Sequence, residues 1–191
     1  FVDGIDRWFA GQSGTAEVVP PMFTPFKLRE MSLANRIVLS PMCMYSAEDG
    51  TPDDWHLVHL GSRAIGGAGL LITEMTNISR DGRITPGCTG MYKPEHIGAW
   101  KRITDFVHAN SEAKIGIQLA HAGRKGSTRL MWEGIDQPLE SGNWPLIAPS
   151  PIPYLPDSQV PRPMDGSDLD RVRNQFVRSA QMSDAAGFDL I

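Results

Sequence analysis

Cysteine, positive charge and long apolar runs are all scarce in this 191-residue chain. Cysteine occurs twice, as Cys43 and Cys88, and neither lies in a Cys-x-x-Cys pair. There is thus no disulfide framework, and structural zinc or iron–sulfur ligation finds no support. A reducing, cytoplasmic location is the default expectation. Eighteen Lys and Arg face 22 Asp and Glu, so the net charge of −4 gives a nucleic-acid partner no electrostatic support. No apolar run approaches the ~20 residues of a membrane span. No basic segment leads into an apolar one, so no secretory signal is expected. What is present, 41% hydrophobic and 21% charged residues, fits an ordinary soluble domain with a sizeable core. The first residue is Phe, which reads as an excised piece or a processed product.

The pattern along the chain alternates. Residues 1–20 read as a terminal segment from a preceding domain: a short helix over 1–10, then a linker, Gly11-Gln12-Ser13-Gly14-Thr15, closed by Pro20-Pro21. From residue 21, Ile37 to Leu39 reads as a strand buried on both faces. Asp53-Asp54 caps a helix from Trp55 to about Ile65, with Leu57, Leu60 and Ala64 on one side and Gly66-Gly67 at its end. Residues 69–74 form a second strand. Pro94 opens a helix whose core stripe is Ile97, Trp100, Ile103 and Val107. Lys114 to Ala120 is a third strand. Asp168 to Ala186 is a third helix, with Leu169, Val172, Phe176, Ala180 and Ser183 on one face, and Phe188 to Ile191 begins a fourth strand.

That β-α-β-α-β-α-β order predicts a parallel sheet with right-handed crossovers. No G-x-G-x-x-G follows the first strand, which weakens a doubly wound dinucleotide-binding fold. The loops after the strands begin at Ser40, Met75 and His121 and are rich in functional side chains, as at the C-terminal face of a barrel. The expected fold class is α/β, the N-terminal half of a (β/α)8 TIM barrel, with residues 21–191 as an incomplete barrel domain.

Several residues could carry chemistry. Residues 40–46, Ser-Pro-Met-Cys-Met-Tyr-Ser, end the first strand with sulfur and a phenol where a plain turn would use Asn, Asp or Gly. Cys43 could be a nucleophile if a partner lowers its pKa, or a soft donor beside a cofactor. Gln118, inside an apolar strand, is expected to be buried, and its amide suits either the polar edge of a heterocycle or a hydrogen bond to a neighbouring strand. The loop His121-Ala122-Gly123-Arg124-Lys125-Gly126 could hold an anion or be a solvated basic loop. His56 and His59 read as packing or surface histidines, with no third metal ligand evident. His96 and His108 read as helix-surface residues, and Cys88 as a loop residue without a role.

Residues 33–46, Leu-Ala-Asn-Arg-Ile-Val-Leu-Ser-Pro-Met-Cys-Met-Tyr-Ser, resemble the first strand and loop of the Old Yellow Enzyme family of FMN-dependent ene-reductases, in particular its thermophilic-like branch. Residues 115–125, Ile-Gly-Ile-Gln-Leu-Ala-His-Ala-Gly-Arg-Lys, resemble that family's third strand and loop, and Ser62 to Gly66 and Gly82 to Thr85 also fit. The resemblance implies a TIM barrel with FMN at its C-terminal face and NAD(P)H as reductant. It implies that Ser40, Pro41, Met42 and Cys43 lie against the flavin ring, with Cys43 as a modulator of its potential. Gln118 would bond the flavin pyrimidine, and Tyr45 would contact the substrate. Met75 would stand beside FMN, where the branch commonly has Ala. Hydride would pass through flavin to an activated C=C of an enone or an aryl-CoA-derived ring, and a homo-oligomer is expected. The family's substrate-holding His pair and its FMN phosphate site would follow Ile191. Residues 5–9 with the linker and residues 20–23 resemble the join in bifunctional proteins of the salicylyl-CoA 5-hydroxylase and 2-aminobenzoyl-CoA monooxygenase/reductase type, in which an FAD-dependent monooxygenase precedes such a domain. The alternative is a catalytically inert barrel fragment serving only as a structural piece; a different phosphate-binding barrel is a third reading.

Overall fold

The computed structural model describes residues 1–14 and 18–191. Helix α1 spans Val2–Ser13 and ends at Gly14, whose φ of 66° is the left-handed conformation that glycine adopts without steric cost. Gly11 to Ser13, expected in a linker, therefore continue the helix; Thr15, the end of that expected linker, lies outside the described residues. A hairpin follows, β1 (Phe26–Leu28) against β2 (Met31–Leu33), with Leu28 opposite Met31. Its two-residue turn places Arg29 at φ 52°. Arg36 joins helix and hairpin: its guanidinium lies 5.3 Å from the ring centre of Phe9 and 5.2 Å from that of Phe26.

The central sheet has three parallel strands, β3 (Val38–Leu39), β4 (Leu70–Asn77) and β5 (Lys114–Ala120), in spatial order β3-β4-β5. The chain after Phe188 pairs beside β5: the Asp189 N–H donates to the Ile115 carbonyl, and the Ile117 N–H to the Leu190 carbonyl, both at 2.9 Å. Strand order equals chain order, with no reversal. The connecting helices are α2 (Asp54–Ile65), α3 (Glu95–Asn110) and, after a short α4 (Met131–Gly134) and a two-strand pair β6 (Ile147–Ala148) and β7 (Arg162–Pro163), α5 (Gly166–Ala185). Leu60 and Ala64 of α2, Trp100, Ile103 and Val107 of α3, Met182 at the end of α5 and Ala186 just beyond it pack on Leu71, Ile115 and Ile117 in one buried cluster. Helices on one face and strands in sequential order describe the first units of a (β/α)8 barrel, not a doubly wound sheet.

The two helices with an aspartate N-cap, α2 and α5, are fixed as capping chemistry requires. Asp53 accepts from the Trp55 N–H, and the His56 side chain returns to the Asp53 backbone. Asp165 and Asp168 form the equivalent box at α5. Trp100 is fully buried and its indole N–H donates to the Gly90 carbonyl at 3.0 Å. A buried aromatic of this kind contributes roughly 1.5–3 kcal/mol through area alone.

Four expectations about burial fail. Val38 is 44% exposed rather than buried, because β3 has a hydrogen-bonded neighbour on only one side. On α5 the buried face is Ser179, Met182 and Ser183, while Leu169 and Phe176 are exposed: only the C-terminal part of this helix meets the core. His96 is fully buried rather than on the surface; its Nδ1 accepts from the Tyr92 N–H at 3.2 Å, and its Nε2 lies 3.2 Å from the Asp49 carbonyl. Gln118 is exposed rather than buried. Among the described residues, no helix is long and apolar enough to cross a membrane.

Candidate active site

Because β3, β4 and β5 are parallel, the loops that leave them, 40–53, 78–94 and 121–130, gather at one end of the sheet. Side chains alternate along each strand. Leu39, Leu71, Ile115 and Ile117 point to the helices. Their neighbours Gly116 and Gln118 occupy the opposite, inner face. Met75 is the register partner of Gln118, so the two stand side by side on that face. Ser40 and Met42 are exposed at the end of β3, and Pro41, Cys43 and Tyr45 are half-buried.

One irregularity arranges this end. Ile72 pairs with Gly116 and Met75 with Gln118, so β4 spends three steps where β5 spends two. This is a bulge, one extra residue that re-aims the side chains beyond it. It turns Glu74 toward α2 and Met75 toward the inner face. The Thr73 hydroxyl accepts from the Gln118 N–H at 3.3 Å across the irregularity.

Glu74 is 4% exposed. Its Oε2 accepts from the Met44 N–H at 3.2 Å, and its Oε1 lies 3.3 Å from His56 Nε2, an ionic contact rather than an aligned hydrogen bond. His56 is fully buried, and its Nδ1 lies 2.9 Å from Asp53 Oδ1. Burial works against an imidazolium here, but the Glu74 and Asp53 carboxylates overcome it and hold the His56 pKa above its ordinary value.

Among the described residues, Cys43 has no cationic partner that would make it a thiolate. Burial, then the Glu74 carboxylate, push the thiol up to about 11, against the opposing influence of the Met75 backbone and the Tyr45 side chain. These interactions also bring Cys43, Tyr45 and Met75 together at the strand ends. Burial raises the Tyr45 phenol to about 12, with Cys43 the next cause. Tyr45 sits at φ 51°, uncommon for a bulky residue. That backbone is held by close packing against Gly87: a methyl group on Gly87 would lie 2.2 Å from the Tyr45 carbonyl oxygen. The Ala47 N–H donates to the Gly87 carbonyl at 2.9 Å.

Charges lock the same two loops. Asp49 meets Arg80 and Lys93, each at 2.9 Å, and accepts from the Tyr92 hydroxyl at 3.2 Å. Burial alone would raise its pKa; Lys93 and Arg80 outweigh that and lower it. In the third loop, Lys125 is committed to Asp136 at 3.0 Å and sits over the Tyr154 ring. The Gly123 N–H donates to His121 Nδ1 at 3.0 Å. Arg124, by contrast, has no ion pair among the described residues, so the basic loop is only partly available to an anion.

The Gln118 side-chain amide has no hydrogen-bond partner among the described residues and is exposed on the inner face. A structural bond to a neighbouring strand is therefore absent, and the amide is free for a ligand. A flat heterocycle with donors and acceptors on one edge fits the donor set: the Gln118 amide, the Met75 side chain and the sulfur-bearing loop 40–45. His59, His108 and Cys88 do not join this set. His59 is on α2, His108 pairs with Asp189 at 2.8 Å, and the buried Cys88 sulfur accepts from the Thr85 N–H at 3.3 Å. Glu74 went unread in the sequence, although an acid closing the apolar run Leu70 to Thr73 was the available signal; His56, read as a packing or surface histidine, is buried.

Known proteins resemble this chain over most of its length. Residues 21–191 match the NADH:flavin oxidoreductase / NADH oxidase family. An NADH:flavin oxidoreductase of Gibberella zeae is 41% identical over 184 residues, which cover 94% of this chain and 43% of that protein. An NADPH dehydrogenase of Listeria monocytogenes is 41% identical over 172 residues, 89% of this chain and 46% of the relative. Among solved structures, morphinone reductase superposes with a TM-score of 0.75 at 27% identity, over 92% of this chain and 48% of that one. The chain thus spans less than half the length of the relatives it matches.

Proposed function

The chain belongs to the NADH:flavin oxidoreductase / NADH oxidase family, and from that premise we propose that it supplies one side of an FMN site in an NAD(P)H-dependent ene-reductase. The observation that carries this reading is the unpartnered Gln118 amide beside Met75, on the inner face at the C-terminal strand ends. FMN, when bound, supplies two-electron transfer between NAD(P)H and an activated C=C. Gln118 would hold the polar edge of the ring system. Ser40, Pro41 and Met42 would lie along it, Met75 would limit its tilt, and Cys43 would present a neutral S–H near the reactive edge. Tyr45, whose phenol stays protonated throughout the physiological range, would donate to a substrate oxygen.

The finer reading extends to residues 1–20 as a join from an FAD-dependent monooxygenase domain, with an aryl-CoA-derived ring as substrate. The join is supported by α1, which precedes the family match at residue 21 and docks through Arg36. A second reading, a barrel piece with no activity of its own, is favoured by the open apolar groove of about 520 Å³ between β5 and α5, lined by Ile117, Gln118, Leu119, Phe176, Val177, Ala180 and Ile191. The full-length protein decides between them. Bound flavin that NAD(P)H bleaches and an enone restores is the expected result; a chain that takes up no flavin contradicts the proposal.

A further inference from the structure

Three threonines link the bulge in β4 to the loop 78–94, and the proposed flavin site gives them no role. Thr73, Thr76 and Thr89 are each fully buried. A buried hydroxyl without a partner is costly, so the bonds of each must be accounted for. The Thr73 hydroxyl accepts from the Gln118 N–H at 3.3 Å and lies 3.3 Å from the Thr76 hydroxyl. The Thr76 hydroxyl lies 3.2 Å from that of Thr89, which donates to the Met75 carbonyl at 3.3 Å. Each hydroxyl has one proton to give. Running the donors in one direction, from the Gln118 N–H through Thr73, Thr76 and Thr89 to the Met75 carbonyl, supplies every link with its proton. The Glu74 carbonyl, 3.0 Å from both the Thr73 and the Thr76 hydroxyl, is a second acceptor for the same protons. The chain thus begins and ends on the two residues that stand side by side on the inner face, Gln118 and Met75. It crosses the step where β4 and β5 fall out of register, between Ile72 and Met75.

We propose that Thr73, Thr76 and Thr89 are positioning residues: their hydroxyls form one chain that ties the Met75 backbone to the Gln118 backbone across the bulge and so fixes how the two side chains stand on the inner face. A bulge disrupts the ladder locally, because its extra residue is left out of the regular pairing. Here the hydroxyls bond backbone groups at that irregularity: the Gln118 N–H, the Glu74 carbonyl and the Met75 carbonyl. Thr76 is the member that separates a chain from a set of local contacts. Its hydroxyl bonds neither Gln118 nor Met75 and reaches their bonds only through Thr73 and Thr89. With Gln118 on the polar edge of the ring and Met75 limiting its tilt, slack in the chain loosens both contacts at once. That consequence rests on the flavin reading above, whereas the chain itself does not.

The test is amide hydrogen exchange in the full-length apoprotein, read at Gln118 and at its neighbour Ile117, whose N–H donates to the Leu190 carbonyl on the other side of β5. Thr76→Val keeps the shape of the side chain and removes the hydroxyl. The Gln118 amide is expected to exchange about five- to tenfold faster, as for one weakened hydrogen bond, while the Ile117 rate stays unchanged. Thr76→Ser, which keeps the hydroxyl, is expected to restore the slow Gln118 rate. Equal acceleration at both amides would mean general loosening of the sheet, and unchanged Gln118 exchange would mean that no chain connects the two; either result overturns the proposal. So does a Thr76→Ser variant that behaves like Thr76→Val, since packing rather than the hydroxyl would then be responsible. If Thr76→Val does not fold, Thr89→Val breaks the next link and is read in the same way. FMN affinity separates the positioning role from the flavin reading. Thr76→Val is expected to bind FMN about five- to tenfold more weakly than the wild-type protein, and equal affinity in the two overturns the positioning role. A wild-type protein that takes up no flavin contradicts the flavin reading, and the Gln118 exchange rates then decide on the chain by themselves.

Discussion

Replacing Gly87 with Ala tests how tightly the loop that carries Cys43 and Tyr45 is held. Gly87 does not need a left-handed backbone, so an alanine there changes contacts alone. Its methyl group would lie 2.2 Å from the Tyr45 carbonyl oxygen and 2.9 Å from the Leu130 side chain. Leu130 can rotate aside. The carbonyl cannot, because Tyr45 already holds a φ of 51° and the next residues are tied to Gly87 itself through the Ala47 N–H. The loops must separate by about 0.8 Å to bring that contact from 2.2 to 3.0 Å. Overpacking of this kind costs about 1–3 kcal/mol. The cost falls on the Ala47–Gly87 hydrogen bond, so the Ala47 amide is expected to exchange with solvent about five- to 150-fold faster. Gly98→Ala is the matched control. Gly98 is exposed in α3 with nothing within 4 Å of a new methyl group, so that variant is expected to gain about 0.5–1 kcal/mol. Unchanged Ala47 exchange in Gly87→Ala would refute the close packing of the two loops.

Two further perturbations probe the titratable groups. Burial lowers the His96 pKa to about 4, below the ordinary histidine value near 6.5. Between those values the unfolded chain takes up a proton that the folded one refuses, so stability falls as pH drops from about 6.5 to 4, by up to about 1.4 kcal/mol per unit. His96→Gln is expected to flatten that limb in urea titrations at pH 7 and pH 5, and an unchanged difference between the two pH values would count against it. Cys43→Ala is expected to shift the flavin potential and alter the rates while turnover persists. Complete loss of activity with FMN still bound would instead make Cys43 a nucleophile.

Much of the scaffold was legible because local chemistry and tertiary packing agree. The strand Lys114–Ala120 is found where its apolar run places it, and the α2 cap at Asp53 and the stripe of Trp100, Ile103 and Val107 behave as their spacing requires. The hairpin at Arg29-Glu30 was not legible, because its turn lacks the Asn-Gly or Asp-Gly pair that signals one. The exposed face of α5 was misread because periodicity marks an apolar side without saying how much of it finds a partner. For Gln118, neighbours in sequence are apolar, but alternation along β5 sends them to the helices and the amide to the other side. The bulge in β4 leaves no mark in the sequence: it exists only as a mismatch between two strands, and it is what separates Glu74 from Met75.

The central claim is that the inner face at the strand ends holds a flavin through Gln118. Its most direct measurement is FMN affinity of full-length apoprotein carrying Gln118→Leu, by quenching of flavin fluorescence. One lost hydrogen bond of about 1–1.5 kcal/mol should weaken binding roughly five- to tenfold or more. Thermal unfolding of the same apoprotein should not change, since the amide bonds nothing else among the described residues. Wild-type FMN affinity in that variant, or a loss of apoprotein stability in its place, would contradict the account.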